Sequence, residues 1–486
     1  MTQYKPVILA IGGTDPTGLA GLAADLRTIT ALGGHAAPVV SAVTVQNNSG
    51  VSAINPVPAD RLQAQLDALD PTALACVKIG LLASTEQIEV VAGFLARSSL
   101  PAVVDPVLGS TSGTVFSNES TRLALQNVLF PRARVVTPNL PEAQLLADLP
   151  SDDPYELAAC LRRCVSTAFV IKGGHDHDSH LTRDVFVGPT QQFSLRSPRR
   201  HTLHTRGTGC VFASALATAL ARGERLEDAV VIAKMTINQG LRLAYAPGGQ
   251  TPGVPGVSAW PDSLVDLPTL QNLTDKYPRE PAFPSCGDTP LGLYPIVDRA
   301  AWLTRLLAQG VTTIQLRIKD LEGEALNLEI QQAVRIARQH DCRLFINDYW
   351  QAAVRHGAYG VHLGQEDLAS ADLDAIHSAG LRLGISTHCH AEVARALACK
   401  PSYIACGPVY PTTSKQMPWQ TLGIEGLSYW SKLLQPGYPV VAIAGIDAGN
   451  ITKVAATGVS GIALISAISQ AQDPEESTRR LIHMLP

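Results

Sequence analysis

Eight short β-type runs punctuate the second half of the chain, at 292–297, 312–316, 342–346, 359–363, 381–385, 402–406, 439–443 and 461–465. Helical patterns fill most of the gaps, as from Leu321 to Gln339. Parallel strands must be joined by long crossovers, usually helices, and eight such units close into a compact (β/α)8 TIM barrel. The series begins only after a break. From Tyr277 to Asp288 the chain carries Pro278, Pro281 and Pro284 and no period, so it reads as a linker stiffened by prolines. The first half has more strands than a barrel needs, with glycine-rich turns at strand ends. It reads as a doubly wound αβα sheet with helices on both faces. In a chain of 486 residues two domains are the natural prior, and we expect them at 1–265 and 290–486, joined by a linker at 266–289.

Apolar residues at 46% and charged residues at 16% describe a globular α/β protein. The formal net charge is −4 without a block of like charge, which argues against a nucleic-acid or anionic-membrane partner. No apolar run approaches the ~20 residues of a membrane span. The run Val7-Ile8-Leu9-Ala10-Ile11 is too short for a signal-peptide core and reads as a buried first strand. The nine cysteines are scattered, as expected of reduced thiols in a cytoplasmic protein. Cys160 and Cys164 could share a helix face, but no second ligand pair lies nearby in sequence, so they read as plain thiols.

Three features of the first half carry chemistry. Thr205-Arg206-Gly207-Thr208-Gly209-Cys210 precedes a helix of small residues. Its glycines present backbone N–H groups at a helix start, an anion hole for a transferring phosphoryl group. Cys210 would point at the same spot as a base, and a helix N-terminus is expected to lower its pKa. Gly12-Gly13-Thr14-Asp15-Pro16 follows the first strand and lets a small ligand approach the backbone; without Gly-Lys-Ser/Thr it is not a P-loop. At two further strand ends, Asn139 and Glu142 could hold magnesium through water, and Lys172 could touch a phosphate.

These segments resemble the ribokinase-like family and, within it, the hydroxymethylpyrimidine and phosphomethylpyrimidine kinases, over roughly residues 5–260. The likeness runs through Gly13-Thr14-Asp15-Pro16, residues 20–26, Val45-Gln46-Asn47, Val77-Lys78-Ile79-Gly80, Asp105-Pro106-Val107, Pro138 to Glu142, Lys172 to His175 and Gly207 to Cys210. It implies that Cys210 stands where sugar kinases of this fold carry an aspartate base, with Gly207, Gly209 and Lys172 completing the catalytic group. It implies that Gln46 reads the polar edge of a pyrimidine, beside Gly13 and Ala20. ATP as co-substrate and Mg2+ would be met by Asp105, Asn139, Glu142, Lys172 and Thr208. Two departures stand out. Arg206 replaces a usual histidine and is expected beside the ATP phosphates, and Leu19 replaces a usual glycine.

In the second half the polar clusters fall at the C-terminal ends of the strands, where barrel active sites sit. Gln315, Arg317 and Lys319 alternate onto one side, and a buried cation set there calls for an anion. Asp348 and Asp367 lie on neighbouring loops and could share one Mg2+. Lys415 follows the sixth run, and backbone near Gly445 and Ile465-Ser466 suits a phosphate. This half closely resembles thiamin phosphate synthase, over about residues 290–485. The likeness is carried by 315–319, Phe345 to Asp348, Val361 to Asp367, Gly384 to His388, Gly407 to Tyr410 and Ser466 to Ile468. It implies magnesium on Asp348 and Asp367, and pyrophosphate on Arg317, Lys319, Asn347 and Lys415. It implies the pyrimidine and its leaving group on Gln315 and Ser386, the thiazole on Thr412 and Ser414, and its phosphate on Gly445 and Ser466. Ser414 and Ala444 replace a common threonine and glycine. His388, Cys389 and His390 resemble a zinc site in composition but lack an evident fourth ligand, so they read as a loop.

The expected function is therefore thiamin biosynthesis: two phosphorylations of a pyrimidine alcohol, then coupling of the diphosphate to thiazole phosphate. The expected partners are these small molecules, with no nucleic acid and no membrane, in a homo-oligomer. A vitamin B6 or sugar kinase joined to another phosphate-binding barrel would share the folds, although Cys210 with Gln46 argues against sugars. One half as a non-catalytic sensing module, marked by Arg206 and Leu19, is the other alternative.

Overall fold

The computed structural model describes residues 4–48, 50–109, 116–175, 180–249, 251–272, 281–412 and 419–485. The chain splits into two compact units, Met1–Pro261 with Val265–Asp275, and Asp262–Leu264 with Lys276–Pro486.

The first unit is built on a ten-stranded sheet: β1 (Val7–Thr14), β2 (His35–Asn47), β3 (Gly50–Pro56), β4 (Leu74–Ile79), β5 (Ala102–Val104), β6 (Val135–Val136), β7 (Ala168–Ile171), β8 (Leu181–Val187), β9 (Gln192–Pro198) and β10 (Thr269–Asn272). Their order is β10-β9-β8-β7-β6-β5-β4-β1-β2-β3. The six strands from β2 to β7 in that order pair in parallel, and antiparallel strands extend both edges. The apolar runs alternate across the sheet. Leu9, Ile11, Val77 and Ile79 meet one helical layer through Leu62, Ile88, Val91 and Leu157, all buried. The helices Gly21–Ala31, Thr208–Ala221 and Leu226–Arg242 pack together, the first two against β1 and β4. Helices on both faces of a mainly parallel sheet make this the doubly wound, ribokinase-like architecture. The chain order reverses between β1 and β4, and such a switch point opens a crevice beyond the strand ends.

One boundary is corrected. The stretch expected as linker, 266–289, contains β10, paired antiparallel with β9, and Leu270 is fully buried there. Its four residues are too few for a period to show beside Pro268. From Pro281 the chain is laid against the barrel: Phe283 N–H donates to Lys400 O at 3.1 Å, and Cys286 joins the barrel core.

The second unit closes eight parallel strands into a barrel: β11 (Gly292–Val297), β12 (Thr313–Leu316), β13 (Arg343–Asn347), β14 (Gly360–Leu363), β15 (Arg382–Thr387), β16 (Tyr403–Cys406), β17 (Val440–Ile443) and β18 (Gly461–Leu464). β18 pairs with β11 and completes the ring. The interior is aromatic. Tyr294, Phe345 and Tyr403 meet edge-on or tilted, with centroids 5.1–6.0 Å apart. They fit because glycines face them: a Cβ at Gly384 would stand 2.1 Å from the Tyr403 ring, and one at Gly360 2.5 Å from Phe345. Gly384→Ala is expected to lower barrel stability by about 3 kcal/mol through overpacking; a urea-unfolding midpoint unchanged from wild type would contradict this packing.

Candidate active sites

A cavity of about 400 Å3 opens at the C-terminal ends of the first unit's strands. Gly13, Ala20 and Gln46 line it together with Asp105, Asn139, Glu142, Lys172 and the loop Gly207 to Cys210. Gly13 and Gln46 are the last residues but one of β1 and β2, on one side of the switch point. The Asp15 carboxylate shapes the loop beside Gly13, accepting N–H bonds from Thr17 at 2.9 Å and Ala20 at 2.8 Å. Leu19 is buried and donates its own N–H to Asp15 at 3.2 Å. It does not line the cavity.

Gly207 caps the helix Thr208–Ala221 at φ 77°, and a side chain there would strike Leu19 O. At Gly209 the missing side chain leaves room for Asp105 and Lys172, each 3.2 Å from where a Cβ would stand. Lys172 Nζ lies 2.7 Å from Asp105 Oδ1. Burial opposes the Lys172 charge, but Asp105 and Glu142 outweigh it and hold its pKa up. Asn139 and Glu142 form a capping box on the helix Leu140–Ala147, with reciprocal bonds of 2.8 and 2.9 Å. Glu142 also accepts from Leu108 N–H at 3.3 Å. Burial and then the Asp105 charge raise its pKa against the pull of Lys172. Adjacent carboxylates of this kind, Asp105 and Glu142, suit a divalent cation.

One sequence-based expectation is corrected here. The Cys210 thiol is not lowered by its helix: burial pushes it up to about 11, against the neighbouring Lys78 charge. Arg206 lines the same cavity, and its Nη2 donates to Gln46 Oε1 at 3.1 Å.

Sequence reasoning also passed over the floor of this cavity. Lys78 and Asp25 are fully buried, 2.8 Å apart, and Ser214 Oγ donates to Asp25 at 2.8 Å. Burial works against the Lys78 charge, yet Asp25 holds it protonated. The signal was a lysine beside the last residue of the apolar strand β4. At the far end Lys234 pairs with Asp184 at 3.0 Å, and Asp184 accepts from Gly173 N–H at 2.8 Å.

In the barrel, the expected residues gather at the C-terminal mouth, but the cations are not buried. β12 ends at Leu316, so its alternation stops there. Gln315 is buried within the barrel, Arg317 is half-buried, and Lys319 is exposed. Lys319 Nζ lies 2.7 Å from Asp348 Oδ2. Asp367 is raised by burial and then by the charge and hydrogen bond of Asp348. Two carboxylates forced this close fit a divalent cation, which would relieve their repulsion. Asn347 is buried at the end of β13 beside Asp348. Thr412 is half-buried beyond β16. Ser414 and Lys415 lie outside the described residues. Ala444 and Gly445 follow β17 with φ of 81° and 66°. The left-handed region costs a β-carbon roughly 1–2 kcal/mol, a cost that Ala444 bears and Gly445 does not. Asn450 Nδ2 donates to Gly445 O at 3.0 Å. Beyond β18, Ile465 is half-buried and Ser466 exposed at the start of a single turn, Ser466–Ser469.

A chain of buried hydrogen bonds, unassigned in the sequence reading, descends from Ser386. His362 Nε2 meets Ser386 Oγ at 2.8 Å, and its Nδ1 meets the Tyr403 hydroxyl at 2.7 Å. Tyr403 meets Tyr294 at 2.9 Å, and Gln315 Nε2 donates to Tyr294 at 3.5 Å. The zinc-like trio is otherwise engaged: His388 bonds Glu392 at 2.7 Å and His390 meets Tyr429 at 3.0 Å.

Burial lowers His362 to about 4 and His390 to about 3. In the unfolded chain both take up a proton near 6.5, whereas the folded barrel keeps them neutral. Barrel stability should therefore fall as pH drops through 6.5, by roughly 2 kcal/mol per histidine between pH 7 and 5. Tryptophan fluorescence during urea unfolding reads this, since four of the five tryptophans lie at 302, 350, 419 and 430. His390→Gln should remove about half of the slope.

A family model of phosphomethylpyrimidine kinase matches residues 15–254, and one of thiamine monophosphate synthase matches residues 293–468. The thiamine-phosphate synthase of Photorhabdus laumondii subsp. laumondii is 55% identical over 195 residues, 40% of this chain and 90% of that protein. That of Yersinia pestis is 52% identical over 205 residues, 42% of this chain and 94% of that protein. Among solved structures, a pyridoxal kinase from Staphylococcus aureus in complex with AMP-PCP aligns with a TM-score of 0.50 and 25% identity, covering 55% of this chain and 99% of that one. The chain thus belongs to the thiamine-phosphate synthase family through its C-terminal barrel, which is fused to an N-terminal phosphomethylpyrimidine kinase domain of ribokinase-like fold.

Proposed function

We propose that the two domains catalyse consecutive steps of thiamin biosynthesis. The kinase half, as far as β10, transfers the γ-phosphoryl group of ATP to 4-amino-5-hydroxymethyl-2-methylpyrimidine. It then transfers a second to the resulting monophosphate. The barrel half, from β11, couples the diphosphate to 4-methyl-5-(2-phosphoethyl)thiazole, or its carboxylated form, and releases pyrophosphate. The observation that carries this reading is the convergence of Gln46, the Lys172–Asp105 pair and Cys210 on one cavity at the switch point. A pyrimidine edge, a phosphate and an acceptor hydroxyl would each find a partner there.

In the kinase half, Gln46 orients the pyrimidine and Lys172 meets the transferring phosphate. The N–H groups of Gly207 to Cys210 receive its charge. Cys210 accepts the acceptor's proton as the new P–O bond forms and the bond to ADP breaks. Asp105 and Glu142 would hold a Mg2+ ion that neutralises phosphate charge. A thiol near 11 is mostly protonated at neutral pH, so kinase kcat/KM should climb by almost tenfold per pH unit between 7 and 9. A flat profile across that range would remove Cys210 from the role of base.

In the barrel half, Asp348 and Asp367 would hold Mg2+, which when bound would screen the charge of the pyrophosphate group. Arg317, Lys319, Asn347 and Lys415 bind that group, while Gln315 and Ser386 orient the pyrimidine. Thr412 and Ser414 seat the thiazole, and Gly445, Ile465 and Ser466 its phosphate. The carbon–oxygen bond to pyrophosphate breaks first, the aminopyrimidine ring spreads the positive charge, and the thiazole nitrogen then attacks. The chain's contribution is positioning and electrostatics. A homo-oligomer is also proposed, supported by half-exposed Val43 and Val45 beside the sheet-edge strand β3.

One reaction tests the whole: purified chain, hydroxymethylpyrimidine, ATP, magnesium and thiazole phosphate, followed by mass spectrometry. Thiamin phosphate is the expected product. If it is absent, supplying the pyrimidine diphosphate separates the halves. Rescue would fault the kinase reading, and failure would fault the substrates assigned to the barrel.

A further inference from the structure

The lysines of the kinase cavity are already matched. Lys78, Lys172 and Lys234 face Asp25, Asp105 and Asp184 at 2.8, 2.7 and 3.0 Å. Arg206 is different. Its Nη2 donates to neutral Gln46 at 3.1 Å, and among the described residues no carboxylate lies within ion-pair distance of it. The contact fixes where Arg206 points. A guanidinium has donors only, so the amide oxygen of Gln46 must face it. Arg206 also directly precedes Gly207, the cap of the helix that bears Cys210. It therefore sits between the residue that would read the acceptor ring and the loop that would receive the phosphoryl group. An unmatched guanidinium in a partly enclosed cavity gains most from an anion, and its planar fork suits phosphate oxygens.

The two acceptors of the kinase reading differ in this property. The alcohol is neutral, whereas its monophosphate carries a charge of about −1.5 to −2 near pH 7. We propose that Arg206 is a specificity-determining residue that pairs with the phosphate of the monophosphorylated acceptor and so favours the second transfer over the first. The inference rests on the two-step kinase reading above.

The test measures kcat/KM of the full chain for both acceptors in wild type, Arg206→Gln and Arg206→Lys. The monophosphate-to-alcohol ratio should fall about ten- to a hundredfold in Arg206→Gln, the loss expected for one charge-assisted contact, and stay within about fivefold in Arg206→Lys. Added salt should depress the wild-type ratio and leave that of Arg206→Gln nearly flat. Loss of the bond to Gln46 would affect both acceptors alike and cancels in the ratio. A ratio within about threefold of wild type in Arg206→Gln would overturn the proposal, as would an equal fall for both acceptors in both variants. Wild-type enzyme that phosphorylates neither acceptor would overturn the kinase reading itself, and this inference with it.

Discussion

Parallel strands all end on the same side, and both halves of this chain are organised by that constraint. A parallel sheet sends its crossovers over the faces, so the ends of the strands, with their unpaired backbone groups, are the places left for polar side chains. In the first unit Gly13, Gln46 and Asp105 lie at or just beyond the ends of β1, β2 and β5. In the barrel Asp348, Asp367, Ser386 and Gly445 follow or end β13, β14, β15 and β17. Residues far apart in sequence meet because the strands beneath them share a direction.

The kinase cavity adds buried charge to this scheme. Lysines as enclosed as Lys78 and Lys234 survive only with a carboxylate at contact distance, and each has one. These pairs hold the cavity walls without presenting net charge to a ligand. Glu142, Arg199, Arg200 and Arg206 line the same cavity outside those pairs. The raised Cys210 thiol belongs to the same economy: burial disfavours its anion more than Lys78 favours it.

The periodic part of the architecture was legible in the sequence. All eight barrel strands lie within a residue or two of their apolar runs, because every such run is flanked by a helix of different period. β10 was not legible, since four residues beside a proline carry no pattern. The gathering of the candidate residues at strand ends was legible in the sequence, but their contacts were not. That Lys319 lies outside the barrel depends on where β12 stops. That Arg206 turns to Gln46 depends on a contact across 160 positions of sequence. Lys78 and His362 sat in apolar strands as visible anomalies, yet only packing reveals what each one faces.

In most barrels of this kind the mouth hosts chemistry and the opposite end hosts stability, so the two can vary separately. The hydrogen-bonded line from Ser386 through His362, Tyr403 and Tyr294 to Gln315 removes that freedom here. Each member is donor to one neighbour or acceptor from the next, and a change in one redistributes protons along the rest. Gly384 and Gly360 are tied in as well, because they make the space the aromatic members occupy. A change at any one of these interior positions is therefore felt by the others through packing and hydrogen bonds.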